Sequence, residues 1–435
     1  MLTFLGFAMV ITFMYLIMTK RLSALIALIL VPILFALFGG FSAKIGPMML
    51  EGISKLAPTG VMLMFAILYF ALMIDSGLFD PAVRKILKLV KGDPLKVSVG
   101  TAVLALVVSL DGDGATTYMI CCAAMLPLYS RLGMSPRIMA GLIILAGGVM
   151  NMTPWGGPTA RAASALHVDP SDIFVPMIPA MVFGVLAILA IAYMYGKRER
   201  ARLGELHLPT DDIDHSEITV SQFPDARRPK LLWFNGALTA VLMVALIAGV
   251  LPLPVLFMIA FSIAMIVNYP CLQQQKDRIA AHAGSVLAVT GLIFAAGIFT
   301  GILSGTGMVE AMSKSLLAVI PEALGPYLAV ITAVVSMPFT FFMSNDAFYY
   351  GVLPVLAEAA SHYGISPVEM ARASIVGQPV HLLSPLVPST YLLVALAGIE
   401  FGDHQRFTLK WAVLVCMCIM LAALLMGIFP LFSSL

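Results

Sequence analysis

Long apolar stretches, separated by short polar segments, run from one end of the chain to the other. The first three cover residues 2–18, 22–39 and 59–75. Segments of about 17–25 apolar residues are long enough to cross the hydrocarbon core of a bilayer as helices. The composition agrees with this pattern, because 60% of the 435 residues are hydrophobic and only 11% are charged, whereas soluble domains are about 25% charged. The pattern predicts an all-α polytopic membrane protein.

Two of the apolar segments in the first half contain residues that do not favour a continuous helix. Residues 94–130 form two short apolar runs that meet at S-L-D-G-D-G-A-T-T-Y, Ser109 to Tyr118. Each run is short for a full crossing, so we expect a re-entrant hairpin that is buried in protein or lines a cavity. Residues 135–167 are interrupted by M-N-M-T-P-W-G-G-P. Two prolines and two glycines in that interruption predict a discontinuous helix.

The second half of the chain repeats features of the first. Gly133-Met134-Ser135-Pro136 recurs as Gly364-Ile365-Ser366-Pro367, 231 positions later, and an offset of 232 carries Asp113 onto Asn345. Nearly equal offsets over such a distance indicate an internal repeat rather than a chance match.

The repeat predicts a second hairpin over 326–361 and a second discontinuous helix over 366–399. Each half, 1–196 and 231–435, then crosses the membrane five times, because a hairpin crosses nothing. An odd number of crossings gives the two halves opposite orientations. Such inverted repeats are typical of secondary transporters, whose binding sites lie between the repeats where helices break.

Positive charge sets the expected orientation in the membrane. The polar segment 197–230 carries seven lysines and arginines, and the positive-inside rule makes it a cytoplasmic linker, with both chain termini outside. The amphipathic segment 80–90 contains Arg84, Lys85 and Lys88. We expect it to lie along the membrane interface on the same side.

Three acidic residues lie at the predicted hairpin tips, within apolar surroundings. Asp111 and Asp113 belong to the first tip and Asp346 to the second. Because a carboxylate at membrane depth indicates a functional site, we assign all three to metal binding or proton coupling. The alternative is that the first two only cap the following helix. The sequence D-x-D-G also resembles the start of a calcium loop, but the ligand at the far end of such a loop is missing.

Further polar candidates lie at the second tip and at the two helix breaks. Helix N-termini attract anions and free carbonyl groups attract cations, so the architecture predicts an anionic substrate that moves with a cation or a proton. Arg161 is expected to pair with Asp111, Asp113 or a substrate carboxylate, with snorkelling to the interface as the alternative. His381 is either a proton carrier, a metal ligand or a substrate donor, or it is a structural histidine. The predicted substrate-binding residues are Asn151, Thr153, Gly157, Thr159, Arg161, Ser344, Asn345, His381, Ser384, Ser389 and Thr390.

The remaining polar and sulfur-containing residues are given structural roles. The hydroxyl groups near the breaks have an ordinary alternative to substrate binding, which is to bond backbone groups freed by proline. Asp75 is interpreted as interfacial, and Asp403-His404-Gln405-Arg406 as a solvated helix end. The five cysteines lack the two-residue spacing of zinc or redox pairs and are interpreted as packing residues. No cofactor is predicted.

Five longer motifs resemble the CitMHS family of bacterial metal–citrate:proton symporters along nearly the whole chain. They are L-D-G-D-G-A-T-T, W-G-G-P-T-A-R-A, S-N-D-A-F-Y-Y-G-V-L-P-V-L, G-Q-P-V-H-L-L-S-P-L-V-P-S-T-Y-L-L and G-D-H-Q-R-F. The resemblance implies the fold of the ion transporter superfamily, which includes the sodium–dicarboxylate symporters. It further implies a scaffold domain, a transport domain that carries both hairpins, and a homodimer that works by an elevator motion in the bacterial inner (plasma) membrane.

The hairpin tips depart from those of the sodium-coupled relatives. The resemblance implies Ser-Asn-Thr at such tips, whereas this chain has Gly112-Asp113-Gly114 and Ser344-Asn345-Asp346. Both departures are toward acid, which favours protons or a divalent metal over sodium.

The resemblance therefore implies import of citrate as a complex with a divalent metal such as Mg or Ca, coupled to protons. The metal is part of the substrate rather than a cofactor. Free citrate carries about three negative charges near neutral pH, so an acidic site is expected to repel the bare anion and to accept the metal complex. The alternatives are a proton- or sodium-coupled carrier of free di- or tricarboxylates, a channel, and an intramembrane aspartyl protease. We predict a transporter rather than an enzyme, without a nucleic-acid partner.

Overall fold

The computed structural model describes residues 1–90, 92–112, 114–204, 223–318 and 321–433. These residues form helices and turns, and no strand is found among them. Six helices in this part of the chain are long and apolar enough to cross a membrane, which agrees with the prediction of an all-helical polytopic protein. They cover Ser42–Ser76, Pro170–Leu203, Pro229–Ile247, Leu272–Gly305, Glu322–Phe342 and Phe401–Leu425.

The helices of the first half follow the order expected from the hydropathy pattern. Three long helices come first, a short amphipathic helix follows, and then come a helical hairpin, an interrupted helix and a last long helix. Their bounds are α1 Leu2–Met18, α2 Ala24–Phe38, α3 Ile45–Ser76, α4 Asp80–Val90, α5 Pro94–Val108, α6 Gly114–Leu132, α7 Pro136–Met150, α8 Gly157–Leu166 and α9 Pro170–Leu203.

The second half contains the same succession of elements. Three helices precede a short one, and a hairpin, an interrupted helix and a last helix follow. The bounds are α10 Leu232–Ile247, α11 Leu253–Asn268, α12 Leu272–Gly305, α13 Met308–Leu317, α14 Leu328–Phe342, α15 Leu353–Ser361, α16 Pro367–Ser374, α17 Gln378–His381, α18 Pro388–Ala397 and α19 Phe401–Leu425. A π-helix, Ala347–Val352, opens the second arm of this hairpin.

Helix α3 is longer than the sequence indicates. It begins at Ile45, well before the apolar stretch predicted from residue 59. The apolar pattern is interrupted by Glu51, Lys55 and Pro58, so the sequence does not predict this part of the helix. The first two lie one turn apart and form an exposed ion pair of 2.8 Å, while Leu56 on another face of the helix is buried.

The second interrupted helix breaks twice. The sequence predicts a break around Ser384–Pro388, but helix α16 already ends at Ser374 and α17 begins only at Gln378. Gly377 lies at this extra break, where a Cβ atom would be 2.6 Å from the hydroxyl of Ser336 on α14. A larger residue would therefore collide with the hairpin.

Besides a small cluster of residues from α2, α3 and α12, two large hydrophobic cores hold the helices together. One is formed by helices α4–α9 and α14–α19, which include both hairpins and both interrupted helices. The other is formed mainly by α1–α3 and α10–α13, together with a few residues of the first group such as Trp155 and Tyr350. The segments that form the first helix break and the second hairpin therefore touch both cores.

Helices α3 and α12 approach each other closely through glycines. A Cβ atom on Gly52 would lie 1.9 Å from the carbonyl oxygen of Gly297, and one on Gly301 would lie 2.4 Å from the carbonyl oxygen of Met48. These contacts join the two halves of the chain beside the small cluster that includes Met48, because small residues allow two helix backbones to approach.

The predicted linker 197–230 is partly helical and partly packed. Helix α9 includes its first residues, through Leu203, and residues 205–222 lie outside the described part of the chain. The last residues contact the end of α3, where the Arg228 N–H donates to the Ser76 carbonyl at 3.0 Å and Arg227 pairs with Asp80.

Asp75, which the sequence suggests is interfacial, is 2% exposed. One of its oxygens lies 3.1 Å from Arg278 and 2.8 Å from His282, both on α12. A buried carboxylate needs such partners. Its pairing with two residues of α12, more than 200 positions away, could not be inferred from its neighbours in sequence.

Candidate functional site

A cavity of about 210 Å³ lies where both hairpin tips and both helix breaks meet. The first tip contributes Gly112, Gly114, Ser109, Thr117 and Tyr118, and the first break contributes Asn151 and Arg161 among others. The second half contributes Asn345 from its tip and Leu382 and Ser389 from its break. Five of the predicted substrate-binding residues therefore line one cavity: Asn151, Gly157, Arg161, Asn345 and Ser389.

The first hairpin tip is held by the first helix break. Helix α5 ends at Val108, a 3₁₀ turn covers Ser109–Asp111, and Gly112 adopts a left-handed conformation with φ of 78°. The indole Nε1–H of Trp155 donates to the carbonyl of Leu110 at 2.9 Å. Because such a φ is unfavourable for other residues, the G-D-G sequence allows the sharp turn that brings this tip to the cavity.

The second tip is shaped by Ser344. Its hydroxyl accepts a hydrogen bond from the Ala347 N–H at 3.2 Å, so it caps the π-helix that starts there. Short π-helical segments are frequent at functional sites. Asp346, the residue before the π-helix, is thereby directed toward the first half of the chain.

Arg161 and Asp346 form an ion pair between the two halves. The Arg161 Nε lies 2.7 Å from the Asp346 Oδ1, and the two side chains are only 23% and 16% exposed. A second guanidinium nitrogen, Nη1, donates to the Gly157 carbonyl at 3.1 Å. The expectation that an acid would pair with Arg161 is met by Asp346 of the second tip, whereas Asp113 and the side chain of Asp111 lie outside the described residues. Snorkelling is excluded by these contacts.

The two interrupted helices cross next to the cavity. A Cβ atom on Gly148 would lie 2.6 Å from Pro379, so only glycine permits this approach. The Asn151 Nδ2 donates to the Gln378 Oε1 at 3.4 Å, and the Gln378 Nε2 donates to the hydroxyl of Tyr349 at 3.0 Å. Gln378 is absent from the predicted site, although its place in G-Q-P, directly before a proline and after a glycine, was a signal.

Several predicted hydroxyls bond nearby backbone groups instead of facing the cavity. Thr159 donates to the Met152 carbonyl at 2.9 Å, and Thr390 donates to the carbonyl of Leu382. Ser384 donates to the carbonyl of Phe341 at 2.6 Å. These bonds satisfy carbonyl groups at the breaks and at the end of α14, which is the ordinary alternative that the sequence left open.

Thr153 and His381 are also buried outside the cavity wall. The hydroxyl of Thr153 has no hydrogen-bond partner within the described part of the chain. The Nδ1–H of His381 donates to the Thr340 carbonyl at 2.7 Å. A role of either side chain in binding or proton transfer stays a prediction.

Gln405 supports the second break from behind. Its Nε2 donates to the carbonyl of Leu383 at 2.7 Å, and the adjacent His404 is fully buried. The interpretation of Asp403–Arg406 as a solvated helix end is therefore wrong for these two residues. Gln405 and His404 lie on the side of α19 that packs against the second helix break. The sequence pattern of α19 alone does not predict this contact.

Three polar atoms at the cavity have no hydrogen-bond partner in the described ranges. They are the Oγ of Ser109, the Oγ1 of Thr117 and the Oδ1 of Asn345. Buried polar atoms without a partner are rare in proteins and call for a bound water, ion or ligand. The first two residues lie in the stretch that the sequence singles out, but only the acids of that stretch were assigned a role.

The acids of the first tip can be located only in part. Asp113 and the side chain of Asp111 lie outside what the structure describes, whereas Gly112 and Gly114, which flank Asp113 in sequence, line the cavity. Among the described residues, no group of three His, Cys, Asp or Glu side chains is placed to hold a metal ion. The assignment of Asp111 and Asp113 to metal or proton coupling stays a prediction.

The sequence matches the family model CitMHS, described as citrate transporter, over residues 13–377. A protein of Bacillus subtilis (strain 168) named citrate transporter is 62% identical over 98% of this chain and 99% of its own length. A second protein of that organism, named Mg(2+)/citrate complex secondary transporter, is 56% identical over the same shares of both chains. The predicted family is thus confirmed.

Two solved transporter structures share the fold. The YdaH transporter of Alcanivorax borkumensis matches with a TM-score of 0.54 over 88% of both chains. MtrF of Neisseria gonorrhoeae matches with a TM-score of 0.61 over 89% of this chain and 84% of that one. Their identities of 16% and 15% mean that they inform on the fold alone. Since the family model covers most of the sequence and the curated relatives align along nearly all of it, this chain belongs to the CitMHS family of citrate transporters, which are membrane carriers and not enzymes.

Proposed function

We propose that this protein imports citrate as a complex with a divalent metal ion by secondary active transport coupled to protons. The observation that carries the proposal is the cavity at the meeting point of two tips and two breaks, with Arg161 in its wall and Asp346 as the partner of that arginine. The name of the 56% identical relative supports the metal complex as the substrate.

The ion pair suggests how substrate and proton are coupled. A guanidinium in a partly buried cavity binds a carboxylate strongly, because it offers charge and paired donors. Here Asp346 already occupies that position at 2.7 Å. Protonation of Asp346 removes its negative charge and frees Arg161 for a citrate carboxylate. Deprotonation of Asp346 after release of citrate restores the pair. Arg161 thus binds the Asp346 carboxylate and the citrate carboxylate alternately.

The unpartnered oxygens suit the metal side of the complex. Ser109, Thr117 and Asn345 line the cavity, and each has a side-chain oxygen without a partner among the described residues. Magnesium prefers oxygen ligands and keeps several of its waters when it is bound. Oxygens of this kind accept hydrogen bonds from such waters, and Asp111 and Asp113 at the same tip would supply negative charge.

The organisation of the two halves supports an inverted repeat of residues 1–196 and 231–435, joined by a cytoplasmic linker over 197–230. Both halves contain the same order of helices, as the sequence offset predicts. The division into two hydrophobic cores supports a transport domain built around the first core, which includes both hairpins, and a scaffold domain built around the second core. In a homodimer, the transport domain would move against the scaffold as an elevator. In this arrangement Trp155 and Tyr350 lie where the moving part meets the scaffold.

Uptake by the purified protein in proteoliposomes tests the proposal. We expect accumulation of labelled citrate to require an inward proton gradient and a divalent metal, to stop with a chelator and to resume when magnesium is added back. Uptake that ignores the chelator, or that follows a sodium gradient, would instead identify a carrier of free carboxylates. Accumulation against a gradient excludes a channel.

Variants of the tips test the site itself. Asp346→Asn and Asp113→Asn should each abolish or uncouple metal-dependent citrate uptake, because an asparagine side chain is uncharged and does not take up or release a proton in this pH range. The exposed acid Glu310, which pairs with Lys314 at 2.8 Å, gives the matched control Glu310→Gln, for which normal uptake is expected. Wild-type uptake in both tip variants would exclude the assigned roles.

A further inference from the structure

Helix α4 has one buried face and one basic face. Val83, Leu87 and Val90 are buried in the hydrophobic core. The opposite side exposes Arg84, Lys85 and Lys88. We call this side, together with Pro81 and Leu89, the α4 basic face. These five residues line an open groove of about 490 Å³.

Among the residues that the structure describes, the three cations of the α4 basic face have no acidic partner. None of the ion pairs among the described residues includes Arg84, Lys85 or Lys88. The two acids that flank the helix are already engaged, because Asp80 pairs with Arg227 and Asp93 pairs with Arg200. No described acid neutralises the positive charge of the face, which can therefore attract an anionic ligand.

The ends of three apolar spans place α4 at the level of the lipid headgroups. Helix α3 ends only four residues before α4 begins. Asp75 in its last turn pairs with Arg278 near the start of α12. Asp93, just after α4, pairs with Arg200 near the end of α9. Each of α3, α9 and α12 contains a span that is long and apolar enough to cross the membrane, and α4 lies beside the polar ends of these helices, which places it at the membrane surface.

We propose that the α4 basic face binds the phosphate headgroup of an anionic phospholipid. Clusters of lysine and arginine beside a membrane span attract anionic lipids, chiefly on the cytoplasmic side. A lipid fits better than a soluble anion because the groove also has an apolar rim. Leu89 is 61% exposed beside the cations, and with Pro81 it offers contact to acyl chains.

The corresponding helix of the second half lacks this property. Helix α13 follows the third helix of its half, as α4 does. Its cation Lys314 is paired with Glu310 one turn away, at 2.8 Å. The two short helices thus have the same place in the helix order of their halves but differ in unpaired positive charge. In the proposed inverted repeat they lie at opposite membrane surfaces, and the two surfaces of a bilayer differ in lipid charge.

A lipid bound here would hold the connection between the two cores. Helix α4 joins α3 of the second core to α5, the first arm of the hairpin that reaches the cavity. A headgroup bound to the α4 basic face keeps that connection at the membrane surface. The proposal does not depend on which substrate the protein carries.

Native mass spectrometry of the full-length protein in neutral detergent tests this binding. Phosphatidylglycerol and phosphatidylcholine with the same acyl chains are added in turn, and the lipid-bound fraction is measured. We expect the wild type to retain the anionic lipid preferentially, and each cation removed to weaken that retention by about fivefold. The triple variant Arg84→Gln, Lys85→Gln, Lys88→Gln should lose the preference.

Two controls keep the result decisive. The variant Arg84→Lys, Lys85→Arg, Lys88→Arg conserves the charge and should keep the preference, and so should Lys314→Gln on α13. Equal retention of both lipids by the wild type, or an unchanged preference in the neutral triple variant, would overturn the proposal. Displacement of the bound lipid by inorganic phosphate alone would identify a site for a soluble anion and would also overturn it.

Discussion

Removal of either member of the Arg161–Asp346 pair should destabilise the protein, and removal of both should restore much of the loss. Two unit charges about 4 Å apart attract each other by about 4 kcal/mol at an effective dielectric constant of about 20. Asp346→Asn or Arg161→Gln forfeits this attraction and leaves one charge alone. Breaking a fully buried pair costs about 3–5 kcal/mol. Since these side chains are still 23% and 16% exposed, we expect about 2–3 kcal/mol for each single variant.

A double-mutant cycle measures the interaction directly. The free energy of unfolding is obtained for the wild type, both single variants and the double variant by titration with a denaturing detergent, followed by tryptophan fluorescence. Because the double variant leaves no unpaired charge, it should lose less than the sum of the singles. We expect a coupling energy of about 2–3 kcal/mol. If the stability loss of the double variant equals the sum of the two single losses to within about 0.5 kcal/mol, a direct interaction between the two side chains is refuted.

The same four proteins separate structure from transport. The double variant should recover stability but not citrate uptake, because the arginine that would bind a carboxylate is gone. The exposed pair of Glu310 and Lys314 serves as the control, and Glu310→Gln should change the free energy of unfolding by less than about 1 kcal/mol. Wild-type uptake by the double variant would show that the pair has only a structural role.

Three further substitutions, two of them with a matched control variant, probe other parts of the structure. Asn345→Ala should raise the KM for citrate uptake about tenfold, because the cavity loses a polar partner worth about 1.4 kcal/mol, whereas Ser344→Ala should lower thermal stability and leave KM nearly unchanged. A KM unaffected by Asn345→Ala would count against substrate contact at this tip. Gly52→Ala should markedly lower the melting temperature, since its Cβ would lie 1.9 Å from a carbonyl oxygen of the facing helix. At Gly284 nothing lies within 4 Å of an added Cβ atom, so Gly284→Ala should be neutral or slightly stabilising. Equal melting temperatures of the Gly52→Ala and Gly284→Ala variants would contradict the close packing of α3 and α12. Thr390→Val should reduce the free energy of unfolding by about 1–3 kcal/mol with KM within about twofold, and a large rise in KM would instead indicate that this hydroxyl binds substrate.

The helix order and the breaks were predictable because their causes are local. A run of apolar residues predicts a helix, and prolines and glycines end it, whatever the rest of the chain does. The interruption from Asn151 to Gly156 and the tip at Gly112 follow from such residues. Helix α3 was predicted too short because Glu51 and Lys55, which face solvent as an ion pair, lower the apolarity of a segment that is buried on its other side.

The candidate site was predicted only in its location. The sequence indicated that tips and breaks converge, and five predicted residues do line the cavity. It did not distinguish Asn345, whose oxygen lacks a partner, from Thr159 and Thr390, whose hydroxyls bond backbone carbonyls. That distinction depends on the direction of each side chain, which the surrounding helices determine.

The sequence by itself determined that this chain is a helical membrane transporter of the citrate family, since composition, apolar periodicity and long motifs are properties of the chain alone. The tertiary structure decided which side chains meet. Arg161 pairs with Asp346, 185 positions away, and Gln378 connects Asn151 to Tyr349. Contacts over such separations depend on how the two halves are packed together, and a charge or an amide in a sequence does not specify its partner until that packing brings one within hydrogen-bond distance.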